Sequence, residues 1–304
     1  MISRYTYKDL VWIDLESPTQ EEVRGVMEEF DIHPLVANEL LVPTVRPKVD
    51  LYSNLIYLIL HFPTISHKHR GKTEQEIDFI VGKKFLITTH YDLVDSLHEF
   101  SKVFEVHSIL ERSNIGDHAG YIIFYILKEL YKMLDNELSY IQRDFAEIEP
   151  NIFGGKERKM VTSISHLNRD LLNFRKSIVH HKEVLDSFEL AGTKFFGQDF
   201  LYYLRNITGE YFKVSSALDG HRETLLELRE TNDSLLTTKT NDIMKTIAII
   251  SFITFPLSLV AAIFGMNTAT LPIVGFNGDF WVILGIMAFI TFTIFIYFKA
   301  RKWI

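Results

Sequence analysis

Asn267 follows Gly265-Met266 at the end of an 18-residue run, Ile247–Phe264, that carries no charge. A side-chain amide oxygen and a glycine carbonyl at the end of an apolar helix are neutral acceptors. They can hydrogen-bond the waters around a metal ion without holding the ion too tightly to release it. The same three residues also suit a plain helix end, since glycine and asparagine commonly terminate helices. The run leading to them separates the readings. Asn241, Met244, Ile247, Ser251, Phe255, Ser258 and Ala262 recur at intervals of three or four and share one helical stripe. The apolar members of that stripe would equally suit lipid or a second helix, and a helical serine can bond its own backbone.

A second uncharged run, Phe280–Phe298, spans 19 residues. Each run is long enough to cross a hydrocarbon core of ~30 Å as a helix. Lys299, Arg301 and Lys302 follow directly, and positive residues favour the cytoplasmic side. Two crossings return the chain to its starting side. Both termini are therefore expected in the cytoplasm of a cell (inner) membrane protein, with Gly265–Asn267 on the outer face. Residues 1–10 lack an apolar signal core, so the hairpin is expected to direct insertion.

Mean hydropathy is +0.07, with the apolar excess concentrated at the end. Residues 241–304 hold six charges: Asp242, Lys245, Asp279, Lys299, Arg301 and Lys302. That leaves 37 acidic and 28 basic residues in 1–240, a net of −9. Such a body argues against nucleic acid as a partner and suits cations, although solubility alone accounts for acidity. There is no cysteine, hence no disulfide framework and no thiolate metal site. No phosphate loop, metal-hydrolase helix or nucleophile motif is found, so no enzymatic activity and no cofactor are expected.

Residues 1–110 alternate strand and helix patterns. Val11–Leu15 is a short strand, and Ser17-Pro18-Thr19 breaks it and caps a helix over Glu21–Phe30. Asp31–Pro34 opens a second helix, through Leu41. Strands follow at Lys48–Tyr52 and Leu55–His61, the latter apolar on both faces, as in a buried central strand. Glu76–Val81 and Phe85–Thr89 pair around Gly82-Lys83-Lys84. From His118 the pattern is helical. Met160, Ile164, Leu167, Leu171, Phe174, Ile178, His181, Leu185 and Phe188 form one seven-residue seam. Leu204, Ile207, Tyr211, Val214, Leu218, His221, Leu225, Leu228, Asn232 and Leu235 form another. Asp199–Phe264 reads as one continuous helix, ~100 Å long. The expected fold class is an α/β cytoplasmic domain (1–110), a long helical stalk (111–242) and a C-terminal two-helix transmembrane hairpin. The hairpin divides into a first span (243–264), an outer loop (265–279), a second span (280–298) and a cytoplasmic tail (299–304).

Gly265-Met266-Asn267 between two apolar spans, Thr240–Lys245 at the entry, Pro256-Leu257 mid-span and Phe264 resemble the CorA family of divalent-cation channels, within the metal ion transporter superfamily. His33-Pro34-Leu35, Arg46-Pro47-Lys48 and Phe85-Leu86-Ile87-Thr88 are similar to its N-terminal domain. The resemblance covers essentially the whole chain. It implies a homopentamer in the lipid bilayer with the first span around the pore and Gly265, Met266 and Asn267 as the selectivity filter. It implies pore-lining roles for the seven stripe residues, with an apolar gate at Met244 and Ile247 and a polar ring at Asn241. Phe255 is a bulky member that would narrow the middle. The implied cargo is Mg²⁺, with Co²⁺ or Ni²⁺, under gating by cytoplasmic divalent metal. Mg²⁺ sheds water reluctantly, which suits a ring of neutral oxygens.

The loop departs from the family's Met-Pro-Glu-Leu pattern. Leu271-Pro272-Ile273-Val274 stands there, and Asp279 is the loop's one acid, a candidate for attracting cations. A ZntB-like proton-coupled Zn²⁺ transporter is the alternative on the same architecture. A non-conducting, membrane-anchored coiled-coil scaffold or sensor is the alternative from another class. Asp199 is a candidate regulatory metal ligand, against a helix-cap role. His67 and His69 flank Lys68 in a polar turn and His180-His181 sit on a helix, where adjacent positions diverge by about 100°; both pairs read as surface or packing residues.

Overall fold

The computed structural model describes residues 1–63, 74–91, 94–105, 117–267, 272–275, 277–301 and 303. His67, His69, Leu271 and Lys302 lie outside them. The chain divides into two units, Met1–Arg229 and Glu230–Ile304.

In the first unit six strands form one sheet: β1 Ile2–Tyr7, β2 Leu10–Glu16, β3 Lys48–Leu51, β4 Leu55–Pro63, β5 Glu74–Gly82 and β6 Phe85–His90. Their order is β1-β2-β6-β5-β4-β3, with β2 parallel to β6 and the other neighbours antiparallel. All nine residues of β4 are buried, as its two-faced apolar pattern requires. A Cβ on Gly82 would lie 2.2 Å from the Phe85 ring, so that ring occupies the space the glycine leaves beside the β5–β6 turn. The edge strand β1 was not expected. Its residues alternate between exposed and half-buried and supply no apolar run.

Helices α1 (Gln20–Phe30) and α2 (Pro34–Glu39) cover one face of the sheet. Thr19 caps α1 through a reciprocal box with Glu22, satisfying two free backbone donors. His33 caps α2, its Nδ1 accepting from Leu35 N at 3.2 Å, with Pro34 at the first helical position. Beneath them Val23, Val26, Val36 and Leu40 pack on Ile13, Leu15, Leu55, Tyr57, Ile59, Ile80 and Ile87. The alternating residues of the strands point to the other face. There Trp12 meets Phe100 and Phe104 of α3 (Asp95–Glu105) at ring separations of 5.5 and 5.6 Å.

Among the described residues the further α-helices are α4 (Gly120–Phe153), α5 (Glu157–Ile178), α6 (His181–Phe196), α7 (Leu201–Phe264) and α8 (Asp279–Ala300). The first seam is buried from Ile164 to Phe188, but a turn at Val179-His180 divides it into two helices. The break seats His181 inside the unit. Its Nδ1 accepts from the Tyr131 hydroxyl at 2.8 Å, and its Nε2 donates to the His61 carbonyl at 2.7 Å. Burial pushes the His181 imidazole down to about 4. It is a packed, neutral histidine. The second seam is buried from Leu204 to Leu228 except for half-buried His221.

Candidate functional site

Helix α7 is continuous for 64 residues, with Pro256 in its interior. A short 3₁₀ turn, Gln198–Phe200, precedes it. Asp199 lies exposed in that turn rather than within α7. Among the described residues no three or more histidine or acidic side chains gather as a metal site, at Asp199 or elsewhere.

Helices α7 and α8 both carry stretches long and apolar enough to cross a membrane, at mean hydropathies of 2.5 and 2.3. Neither stretch is buried within the single chain. The exposure is uneven around α7. Ile249, Ile253, Pro256, Leu257, Val260 and Phe264 are partly covered and share one face. Asn241, Met244, Ile247, Ser251, Phe255, Ser258 and Ala262 are all exposed and centre on the opposite side. Phe255 is 79% exposed, unusual for an aromatic residue unless something outside the chain covers it. On α8, Ile283, Ile286, Met287, Ile290, Ile294 and Phe298 make up the covered side. Phe252 meets Phe298 at a ring separation of 6.1 Å, which ties the two helices together near the start of the first span.

The far end of α7 closes as the sequence suggests. Gly265 N donates to Ala261 O at 2.9 Å and Met266 N to Ile263 O at 3.3 Å. A Cβ on Gly265 would sit 2.9 Å from the Ala261 carbonyl oxygen, closer than a methyl group tolerates against backbone. Glycine is required there by this contact. Met266 and Asn267 follow, both exposed. Ser251 donates to Ile247 O at 2.9 Å, so its proton is used within the helix and only its oxygen lone pairs face outward. Asp279 opens α8 and accepts from Gly275 N at 3.2 Å and Phe280 N at 2.7 Å. Its carboxylate thus fastens the loop to the helix start, where negative charge is favoured. Ile273 sits at φ 74°, a strained conformation for a β-branched residue.

The sheet unit holds a separate polar cluster that the sequence reading missed. Glu76 and Asp78 of β5 point to the α2 face, and both are buried. Glu76 accepts from Thr44 N at 2.7 Å and from His61 Nε2 at 3.1 Å. Tyr57 donates to Asp78 at 3.2 Å. Burial and the Glu76 carboxylate hold the Asp78 carboxyl well above the usual range. Alternation along β5 was the available signal, because it puts two acids on the inward face of a central strand.

Residues 7–301 match the family described as CorA-like Mg²⁺ transporter protein. The chain is 25% identical over 294 residues to the cobalt/magnesium transport protein CorA of Thermotoga maritima, covering 96% of this chain and 83% of that one. It is 24% identical over 306 residues to the protein of the same name from Methanocaldococcus jannaschii, covering 97% and 92%. In fold it is similar to the complete CorA magnesium transporter structure from M. jannaschii, with a TM-score of 0.84 at 20% identity over 97% of this chain and 92% of that chain. A ZntB cytoplasmic domain from Vibrio parahaemolyticus shares the fold of the soluble part, with a TM-score of 0.62 at 12% identity over 75% and 88%. The match to the family from residue 7 to residue 301 takes in five of the six strands, the long helix and both apolar spans: this chain belongs to the CorA-like Mg²⁺ transporter family.

Proposed function

We propose that the chain forms a homopentameric channel for Mg²⁺, and for Co²⁺ or Ni²⁺, in the inner membrane with both termini in the cytoplasm. One observation carries this reading. The seven-residue stripe leading to Asn267 is uncovered in the single chain, while the opposite side of the same helix is partly covered. Five such stripes meeting about an axis would enclose a path that ends in a ring of amide oxygens. The relatives named for cobalt and magnesium transport support the choice of cargo.

In this account Asn267 side chains and Gly265 carbonyls receive hydrogen bonds from the water shell of the ion. The neutral ring avoids the tight binding that five carboxylates would impose. Met244 and Ile247 form an apolar constriction that stops ions by staying dry. Asp279, fixed by its two backbone donors, adds one negative charge per subunit near the outer mouth. The membrane potential drives influx, with a double charge gaining about 4.6 kcal/mol per 100 mV. Metal held between subunits favours the closed state and sets the gate.

Asn267→Ala tests the filter. Proteoliposomes carrying this variant should take up no Mg²⁺ although the assembly stays intact, and full uptake would reject the filter. A ZntB-like mechanism predicts instead Zn²⁺ flux that follows an imposed proton gradient, with no Mg²⁺ flux.

A further inference from the structure

At the Lys245 end of the hairpin, α7 and α8 do not close on each other. A hollow of about 610 Å³ opens between them, walled by Phe252, Pro256, Ile294 and Phe298. Proline at 256 has no N–H to give the Phe252 carbonyl, so the helix cannot complete its ladder beside the hollow. The walls are apolar, and the volume falls in the range of small-molecule sites.

The mouth differs from the walls. Arg301 and Trp303 stand at it, just beyond the last residue of the uncharged run. Trp303 stacks on Phe298 at 5.6 Å, and Lys245 Nζ lies 6.0 Å over the Trp303 ring. The Arg301 guanidinium lies 5.9 Å from the Tyr297 ring centre. Both cations are thus held over aromatic rings instead of ranging freely. With Lys299 they outnumber the one acid of this end, Asp242. Aromatic residues beside basic ones mark the level of lipid headgroups.

We infer that this hollow is a binding site for one anionic phospholipid, its acyl chain lying against Phe252, Pro256 and Ile294 and its phosphate between Lys245 and Arg301. An apolar slot leading to two fixed cations matches an amphiphile with an acidic head. A zwitterionic lipid brings its own cation beside the phosphate and so gains less from Lys245 and Arg301, and a free phosphate would leave the slot unfilled.

The test is native mass spectrometry of the full chain extracted from vesicles of equal phosphatidylglycerol and phosphatidylcholine. The wild type should retain phosphatidylglycerol preferentially. Arg301→Gln and Lys245→Gln should each lower that preference roughly fivefold, the contribution expected of one cation near a lipid surface. Arg301→Lys should restore most of it. Ile294→Trp fills the slot, keeps both cations, and should abolish retention. Thr293 also lines the hollow, and Thr293→Leu, a milder filling, should reduce retention. Equal retention of the two lipids would overturn the inference, as would a preference that survives both neutralising variants or retention that survives Ile294→Trp. Absence of any retained lipid would also overturn it and point to a neighbouring subunit as the occupant.

Discussion

The two units treat polarity in opposite ways. In Met1–Arg229 apolar residues form the core, and the most deeply set of its histidine and glutamate side chains have partners: His181 with Tyr131 and the His61 carbonyl, Glu76 with Thr44 and His61. In Glu230–Ile304 large apolar residues such as Phe255, Leu259, Phe289 and Phe292 face outward, and of the large apolar residues only Phe298 is buried among the described residues. The first unit buries a core of its own. The second is completed by lipid and, in the proposed assembly, by other copies. A substitution should therefore be felt in folding in the first unit and in assembly or transport in the second.

The largest contrast is expected from cavity formation. Leu58→Ala, at a fully buried site, should lower stability by about 2–5 kcal/mol in urea unfolding followed by Trp12 fluorescence in a chain whose Trp281 and Trp303 are replaced by phenylalanine. Leu259→Ala, 58% exposed, should leave that transition nearly unmoved. Equal effects would break the contrast.

Acid sharpens it next. His181 is held near 4 in the folded state against an ordinary value of 6.5. Between these values the unfolded chain binds the extra proton, so stability falls as pH drops from about 6.5 to 4, by about 3 kcal/mol for this buried group. Unfolding midpoints at pH 7 and pH 4.5 should differ less in His181→Gln than in the wild type. Asp78 has the opposite sign. Its raised folded value adds stability at low pH and loses it as pH rises through that value. Asp78→Asn should compare better with the wild type at pH 7 than at pH 4, and the reverse order would contradict a raised Asp78 carboxyl.

The smallest effect belongs to Ser251→Ala. Its hydroxyl proton is already bonded to Ile247 O, so Mg²⁺ flux in proteoliposomes should fall by less than about twofold.

Much of this was legible beforehand, for identifiable reasons. Central strand β4 announced itself by an unbroken apolar run, and α1 by Thr19 with Glu22 three residues on. The stripe on α7 follows from three- and four-residue spacing alone. What stayed hidden depends on partners distant in sequence. Strand β1 has no apolar pattern because it is an edge, satisfied by pairing with β2. The turn at Val179-His180 leaves the seven-residue seam intact in sequence and shows only once His181 finds Tyr131. Asp279 read as a free charge until the loop folded Gly275 N onto it. The hollow at Pro256 needs two helices and Trp303 before it exists.

The absence of cysteine allows a direct test of fivefold assembly, because one introduced thiol is the only one present. Phe255→Cys, labelled with a nitroxide in the reconstituted protein, should give two inter-subunit distances by pulsed electron resonance, in the ratio of about 1.6 that a regular pentagon imposes. A single distance would contradict an assembly with this stripe facing a common axis.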